Sequence, residues 1–163
     1  MRLIHPMPFG AEVQTDGRVR FRLWAPAATR VELCFEADAG ESVLPLIGEP
    51  GGWFGLVTDR ATAGSHYRYR IDGGLRVLDP ASRFQPDDVH GPSQVVDPRS
   101  WRWTDAEWYG RPWGEAVVYE LHVGASSPQG SFAAATRRLD YLVEPGVTAI
   151  ELMPIADFHG ARN

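Results

Sequence analysis

Arg18-Val19-Arg20-Phe21-Arg22-Leu23-Trp24 sets Val19, Phe21 and Leu23 between three arginines. Successive side chains of a strand point to opposite faces, so this period of two describes a strand with one buried face and one wet face. Asp16-Gly17 just before it is a tight-turn pair. Val31-Glu32-Leu33-Cys34-Phe35-Glu36 repeats the pattern with Val31, Leu33 and Phe35 inward, after a turn around Pro26, and the two strands are expected to pair. Trp24 continues the alternation of its strand and is expected to be structural core.

Working outward, further short strands are expected at 43–46, 53–58, 66–72 and 75–78. In the third of these Tyr67, Tyr69 and Ile71 alternate with His66, Arg68 and Arg70, and Asp72-Gly73-Gly74 turns the chain into the fourth. No amphipathic helix of useful length interrupts them. Short strands at this spacing predict a mainly β chain led by an immunoglobulin-like β-sandwich over residues 1–98, without the Cys, Trp, Cys framework of antibody domains.

Past residue 98 the grammar changes. A connector at 99–115 holds Trp101, Trp103, Trp108 and Trp113, which are expected to be buried as packing between the sandwich and the next unit, since each buried aromatic contributes about 1.5–3 kcal/mol. Val117, Val118, Leu121 and Val123 then mark a strand without strict alternation, as expected when both faces are covered. Ser131 is placed to cap a single helix from Phe132 to about Val143, with Phe132, Ala135, Leu139 and Leu142 on one stripe, and Pro145-Gly146 ends it. Residues 147–154 form a second buried strand. Strand, helix and strand make one βαβ unit over 116–163, the opening of a parallel sheet or barrel.

Composition narrows the function classes. The formal net charge is -5, with basic residues spread singly, so no concentrated positive field exists for a phosphate backbone and nucleic acid is not an expected partner. Cys34 is the only cysteine, which excludes an internal disulfide and a thiolate zinc cluster. No run of roughly 18 apolar residues and no signal-peptide pattern occurs, so no membrane association and a cytoplasmic location are expected. His5, His66, His90 and His159 lack metal-ligand spacing, and no metal site is expected.

Several motifs occur together in one order: Phe9-Gly10-Ala11-Glu12, Phe21-Arg22-Leu23-Trp24-Ala25-Pro26, Tyr67-Arg68-Tyr69, Asp79-Pro80-Ala81-Ser82-Arg83-Phe84-Gln85-Pro86, Gly91-Pro92-Ser93, Tyr119-Glu120-Leu121-His122-Val123-Gly124, Gly146 to Pro154, and Asp157-Phe158. In these the chain resembles the amino-terminal part of the malto-oligosyltrehalose trehalohydrolases of glycoside hydrolase family 13. The resemblance implies a sandwich like carbohydrate-binding module family 48, followed by the first strand, helix and second strand of a (β/α)8 barrel. It implies an α-glucan or maltooligosyl trehalose as ligand, release of trehalose with retention of configuration, and no cofactor. Retaining hydrolysis needs two carboxyl groups about 5–5.5 Å apart. In the family these come after the fourth and fifth barrel strands, so this sequence is expected to be a truncated homologue, inactive alone and without catalytic residues. The sequence also departs from the family pattern at Ala125-Ser126-Ser127, Pro145 and His159.

Glu120 and Glu151, on adjacent strands, are expected to face missing helices or strands rather than act as an acid and nucleophile pair, because such a pair needs a walled cleft that separates two pKa values. His122 is expected to pack or hydrogen-bond locally. Trp53 and Trp24 are candidates for stacking on glucose rings: for Trp24 structural core is the preferred reading, while for Trp53, beside Gly51-Gly52 in a turn and the candidate carbohydrate-binding residue, stacking and plain packing both fit. Asp79 and Asp97, each before a proline, read as turn initiators. Two other functions fit the same residues: a stand-alone α-glucan-binding module, or a protein that self-associates as a homo-oligomer through exposed barrel strands.

Overall fold

The alternation read in residues 18–24 is present as β2 (Val19–Trp24), in which Val19, Phe21 and Leu23 are buried and Arg20 and Arg22 are not. The structure is a computed structural model that describes residues 9–35, 42–156 and 159–160; Glu36, Asp157 and Phe158 lie outside the described residues. The Asp16-Gly17 turn joins β1 (Gly10–Val13) to β2: Gly17 has φ +87°, and the Asp16 carboxylate accepts from the Arg18 backbone N–H at 3.1 Å. The remaining strands of this region are β3 (Val31–Phe35), β4 (Ser42–Pro45), β5 (Ile47–Glu49), β6 (Trp53–Thr58), β7 (His66–Ile71), β8 (Arg76–Val77) and β9 (Ser93–Gln94). They form two antiparallel sheets, one in the order β1-β2-β6-β5 and one in the order β4-β3-β7-β8 with β9 also beside β7.

This corrects the expected pairing of β2 with β3. The two strands belong to opposite sheets, and the link through Pro26 is a crossover rather than a hairpin. Each has an inward apolar face, and those faces are buried against each other: Phe21 meets Phe35 edge to face at 5.8 Å and Tyr67 at 4.9 Å. Val19, Leu23, Val31, Leu33, Tyr69 and Val95 complete the centre of the core. On β3 the outward residues are buried too. Glu32 there pairs with Arg30 and Arg70, and the hydrogen bond from Arg70, then that from Arg30, holds its carboxyl below the ordinary carboxylate range against the opposing effect of burial.

Trp24 also departs from expectation: 58% exposed, it lies outside the core. The reason is parity, because it shares the even phase of β2 with Arg20 and Arg22.

Asp79 begins a turn as expected, accepting from the Ala81 backbone N–H at 2.8 Å, yet it is also one of the most deeply buried side chains. The Tyr67 hydroxyl donates to it at 2.7 Å, and the Asp79 backbone N–H donates to Ser93 Oγ at 3.1 Å. Burial, the largest influence, raises the Asp79 carboxyl above its ordinary value, and burial likewise raises the Tyr67 hydroxyl. Asp97 caps a single 3-10 turn at Pro98–Ser100.

The described residues divide into two units, one holding 9–35, 42–102 and 159–160 and the other 103–156. In the second, β10 (Val118–Leu121) and β11 (Ala149–Leu152) pair in parallel, with α1 (Phe132–Thr136) and α2 (Leu139–Val143) between them in sequence. Ser131 caps α1 through its hydroxyl, which accepts from Ala134 N at 3.3 Å. The expected single helix is two short ones. Thr136 Oγ1 bonds back to the Phe132 carbonyl at 2.9 Å, a contact that bends helices, and Arg138 leaves helical geometry at φ -104°, ψ 5°. Gly146, at φ +98°, closes the C-terminal turn.

The expectation that both faces of these strands are covered is corrected: Val118, Tyr119, Ile150 and Leu152 are exposed. So are Trp101, Trp103, Trp108 and Trp113, from 68% to 85%, against the burial expected of them. Among the described residues no helix is long and apolar enough to cross a membrane, and no cluster of His, Cys, Asp or Glu could hold a metal ion.

Candidate functional site

The outward face of the β1-β2-β6-β5 sheet carries two ordered rows at one end. Trp24, Trp53 and Glu49 are register partners across β2, β6 and β5; in the next row Arg22, Gly55 and Ile47 are partners. Side chains in such a row stand about 5 Å apart and interact across the strands.

The turn that leads into Trp53 is fixed by close approach. Gly51 and Gly52 have φ +79° and +82°, and a Cβ on Gly52 would lie 2.6 Å from Pro26 Cβ, so only glycine fits. Gly52 O accepts from Ala25 N at 2.9 Å, and Gly51 O accepts from the Trp24 indole N–H at 3.0 Å. The turn thus locks the backbone of one tryptophan and the ring of the other.

Arg22 connects the two rows. Its guanidinium lies over the Trp53 ring, 4.4 Å from the centroid, and its Nε and Nη2 both contact Glu49 Oε2 at 2.9 Å. A cation over an indole is attracted by the ring quadrupole. Phe9, Arg22, Trp24, Trp53, Pro80 and Ala81 line a shallow concavity of about 230 Å³. Flat aromatic surface beside fixed polar groups suits the apolar face and hydroxyl rim of a pyranose.

Glu120 and Glu151 are register partners on the parallel pair, and both are exposed. Among the described residues no walled cleft encloses the two carboxyls, and like charges directly opposite oppose the pairing. His122 Nδ1 accepts from Ala125 N at 3.2 Å, a local turn contact. A second concavity, about 340 Å³, is lined by residues that include Glu120, His122, Arg138 and Tyr141. Trp24 is the residue that sequence reasoning misplaces; its shared parity with Arg20 and Arg22 is the available signal. Arg22 and Glu49 leave no signal, because their meeting depends on the register of three strands.

Residues 8–82, a span that holds both tryptophans, match the family model Carbohydrate-binding module 48 (Isoamylase N-terminal domain). Over 157 residues the sequence is 38% identical to malto-oligosyltrehalose trehalohydrolase of Saccharolobus solfataricus, covering 96% of this chain and 27% of that one. The chain resembles the amino-terminal quarter of a trehalohydrolase. It spans about a quarter of the length of the curated trehalohydrolases it matches. Among solved structures, a putative alpha amylase from Salmonella typhimurium superposes with a TM-score of 0.87 at 44% identity, over 97% of this chain and 26% of that one. The Group B Streptococcus pullulanase SAP, solved in complex with maltotetraose, superposes with a TM-score of 0.69 at 27% identity, over 93% of this chain and 24% of that one. The likeness to the trehalohydrolase and the two enzymes therefore runs through the sandwich and on into the βαβ unit.

Proposed function

We propose that the sandwich is an α-glucan-binding module whose stacking surface is Trp53, with Trp24 beside it. It is the amino-terminal part of a hydrolase-type chain of glycoside hydrolase family 13 that releases trehalose from maltooligosyl trehalose without a cofactor. In this reading residues 1–98 are the sandwich, 99–115 a connector, and 116–163 the first βαβ unit of a (β/α)8 barrel. The observation that carries it is the row Trp24, Trp53, Glu49, built on a turn that tolerates no side chain at Gly52 and lying within the matched module. The 163 residues do not hydrolyse glucans themselves, because Glu120 and Glu151 form no enclosed pair.

Calorimetric titration with maltotetraose tests the binding. Trp53→Ala is expected to weaken it at least about tenfold, the effect of losing a central aromatic anchor. Affinity unchanged in that variant would remove Trp53 from the site. A time course with maltotriosyl trehalose is expected to show no free trehalose; turnover by the pure chain would show that the chemistry lies within these residues.

A further inference from the structure

We propose that Glu49 is a positioning residue for glucan binding: it holds the Arg22 guanidinium against one face of Trp53, so that a glucose ring stacks on the other. This rests on the reading of Trp53 as a stacking surface and goes beyond it in saying what orients the ring.

Gly55 stands between Arg22 and Ile47 in the second row, and a Cβ there would lie only 2.2 Å from Glu49 Oε1. The missing side chain is therefore the space in which the Glu49 carboxylate sits. From that seat Oε2 receives both Nε and Nη2 of Arg22 at 2.9 Å. A guanidinium gripped by two of its nitrogens has a fixed plane, which single-point contact would not give. Its Cζ lies over the Trp53 ring, 4.4 Å from the ring centre. Arg22 is only 24% exposed at its side chain, although it stands on the outward face, in keeping with a stem packed down over its neighbours.

With one face of Trp53 covered, a neutral oligosaccharide meets a single face, and the platform accepts it in one orientation. An indole already held still also loses less freedom on binding than a mobile one. Because an ion pair does the holding, affinity for this uncharged ligand falls with added salt, an effect that stacking alone does not produce.

The test is maltotetraose titration of the full chain at low and high salt, with Glu49→Ala, Glu49→Gln, Gly55→Ala, Arg22→Ala and the double variant Glu49→Ala with Arg22→Ala. Glu49→Ala and Gly55→Ala are expected to weaken binding by about 2- to 10-fold, the effect of leaving one side chain to be ordered on binding. Glu49→Gln recovers part of the loss, since its amide oxygen still accepts from Arg22, but loses the salt dependence. In the Arg22→Ala background the Glu49→Ala change has no further effect. Wild-type affinity in Glu49→Ala alongside lost affinity in Trp53→Ala would overturn the brace and leave the stacking reading standing. So would a Glu49→Ala loss that persists undiminished without Arg22. Failure of the wild-type chain to bind would overturn the stacking reading, and the brace with it.

Discussion

Replacing Phe21 with alanine is expected to destabilise the sandwich by about 3–5 kcal/mol, the usual cost of removing a large aromatic from a packed core. Phe21 is fully buried and packs against two aromatics of the opposite sheet, Phe35 at 5.8 Å and Tyr67 at 4.9 Å, both edge to face. Its removal opens a void between the two sheets. For a unit of about a hundred residues this corresponds to a fall in Tm on the order of 15–30 °C. Denaturant unfolding followed by far-UV circular dichroism measures it, with Leu75→Ala as a control expected to change stability by less than about 0.5 kcal/mol because that side chain is exposed. A Phe21→Ala change as small as the control would mean that the two sheets do not share this core.

Asp79→Ala is expected to be the next most damaging substitution, at about 2–4 kcal/mol, because it leaves the buried Tyr67 hydroxyl and the Ala81 backbone N–H without their acceptor. The Tyr69 hydroxyl is buried in the same region, and burial first, then the charge of Asp79, holds it well above its ordinary pKa. The pH dependence separates the roles of shape and charge. Burial raises the folded-state Asp79 pKa above its ordinary 3.8, so the folded chain keeps this proton to higher pH than the unfolded chain does. The ionised group thus opposes folding above its folded pKa, and that penalty is relieved as pH falls toward 3.8. Glu32 and Asp72, whose pKa values are lowered, act in the opposite sense and lose their contribution as pH falls. Asp79→Asn isolates the first effect: at neutral pH it is expected to be at least as stable as wild type, with the advantage vanishing as pH falls. A difference between wild type and Asp79→Asn that stays constant with pH would contradict a buried, destabilised carboxylate.

How far the sequence reveals this molecule depends on the length of each pattern. β2, β3, β6 and β7 are legible because five or six residues suffice to show a period of two. β5 and β9, with three and two residues, are too short to show one, and β1 begins with Gly10 and Ala11, which carry little hydrophobic signal. The division of strands between sheets is hidden, since β2 and β3 have the same alternation whether they pair or face each other. Turn chemistry reads well at Asp16-Gly17, Ser131 and Gly146. The tryptophans read poorly, because bulk and hydrophobicity favour burial while position decides it. Trp24 is outward by parity alone. Trp53 stands out from its turn, but the Arg22 and Glu49 that frame it come from strands whose register no local pattern encodes.

That a glucan settles on the paired tryptophans of the β1-β2-β6-β5 sheet is tested most directly by nitrogen-15 NMR of the indole N–H groups during maltotetraose titration. The expected result is that two of the six indole signals, assigned by Trp24→Phe and Trp53→Phe, shift together and saturate at one affinity, while those of Trp101, Trp103, Trp108 and Trp113 stay in place. Saturating shifts confined to those four, with Trp24 and Trp53 unmoved, would place the sugar elsewhere and contradict the account.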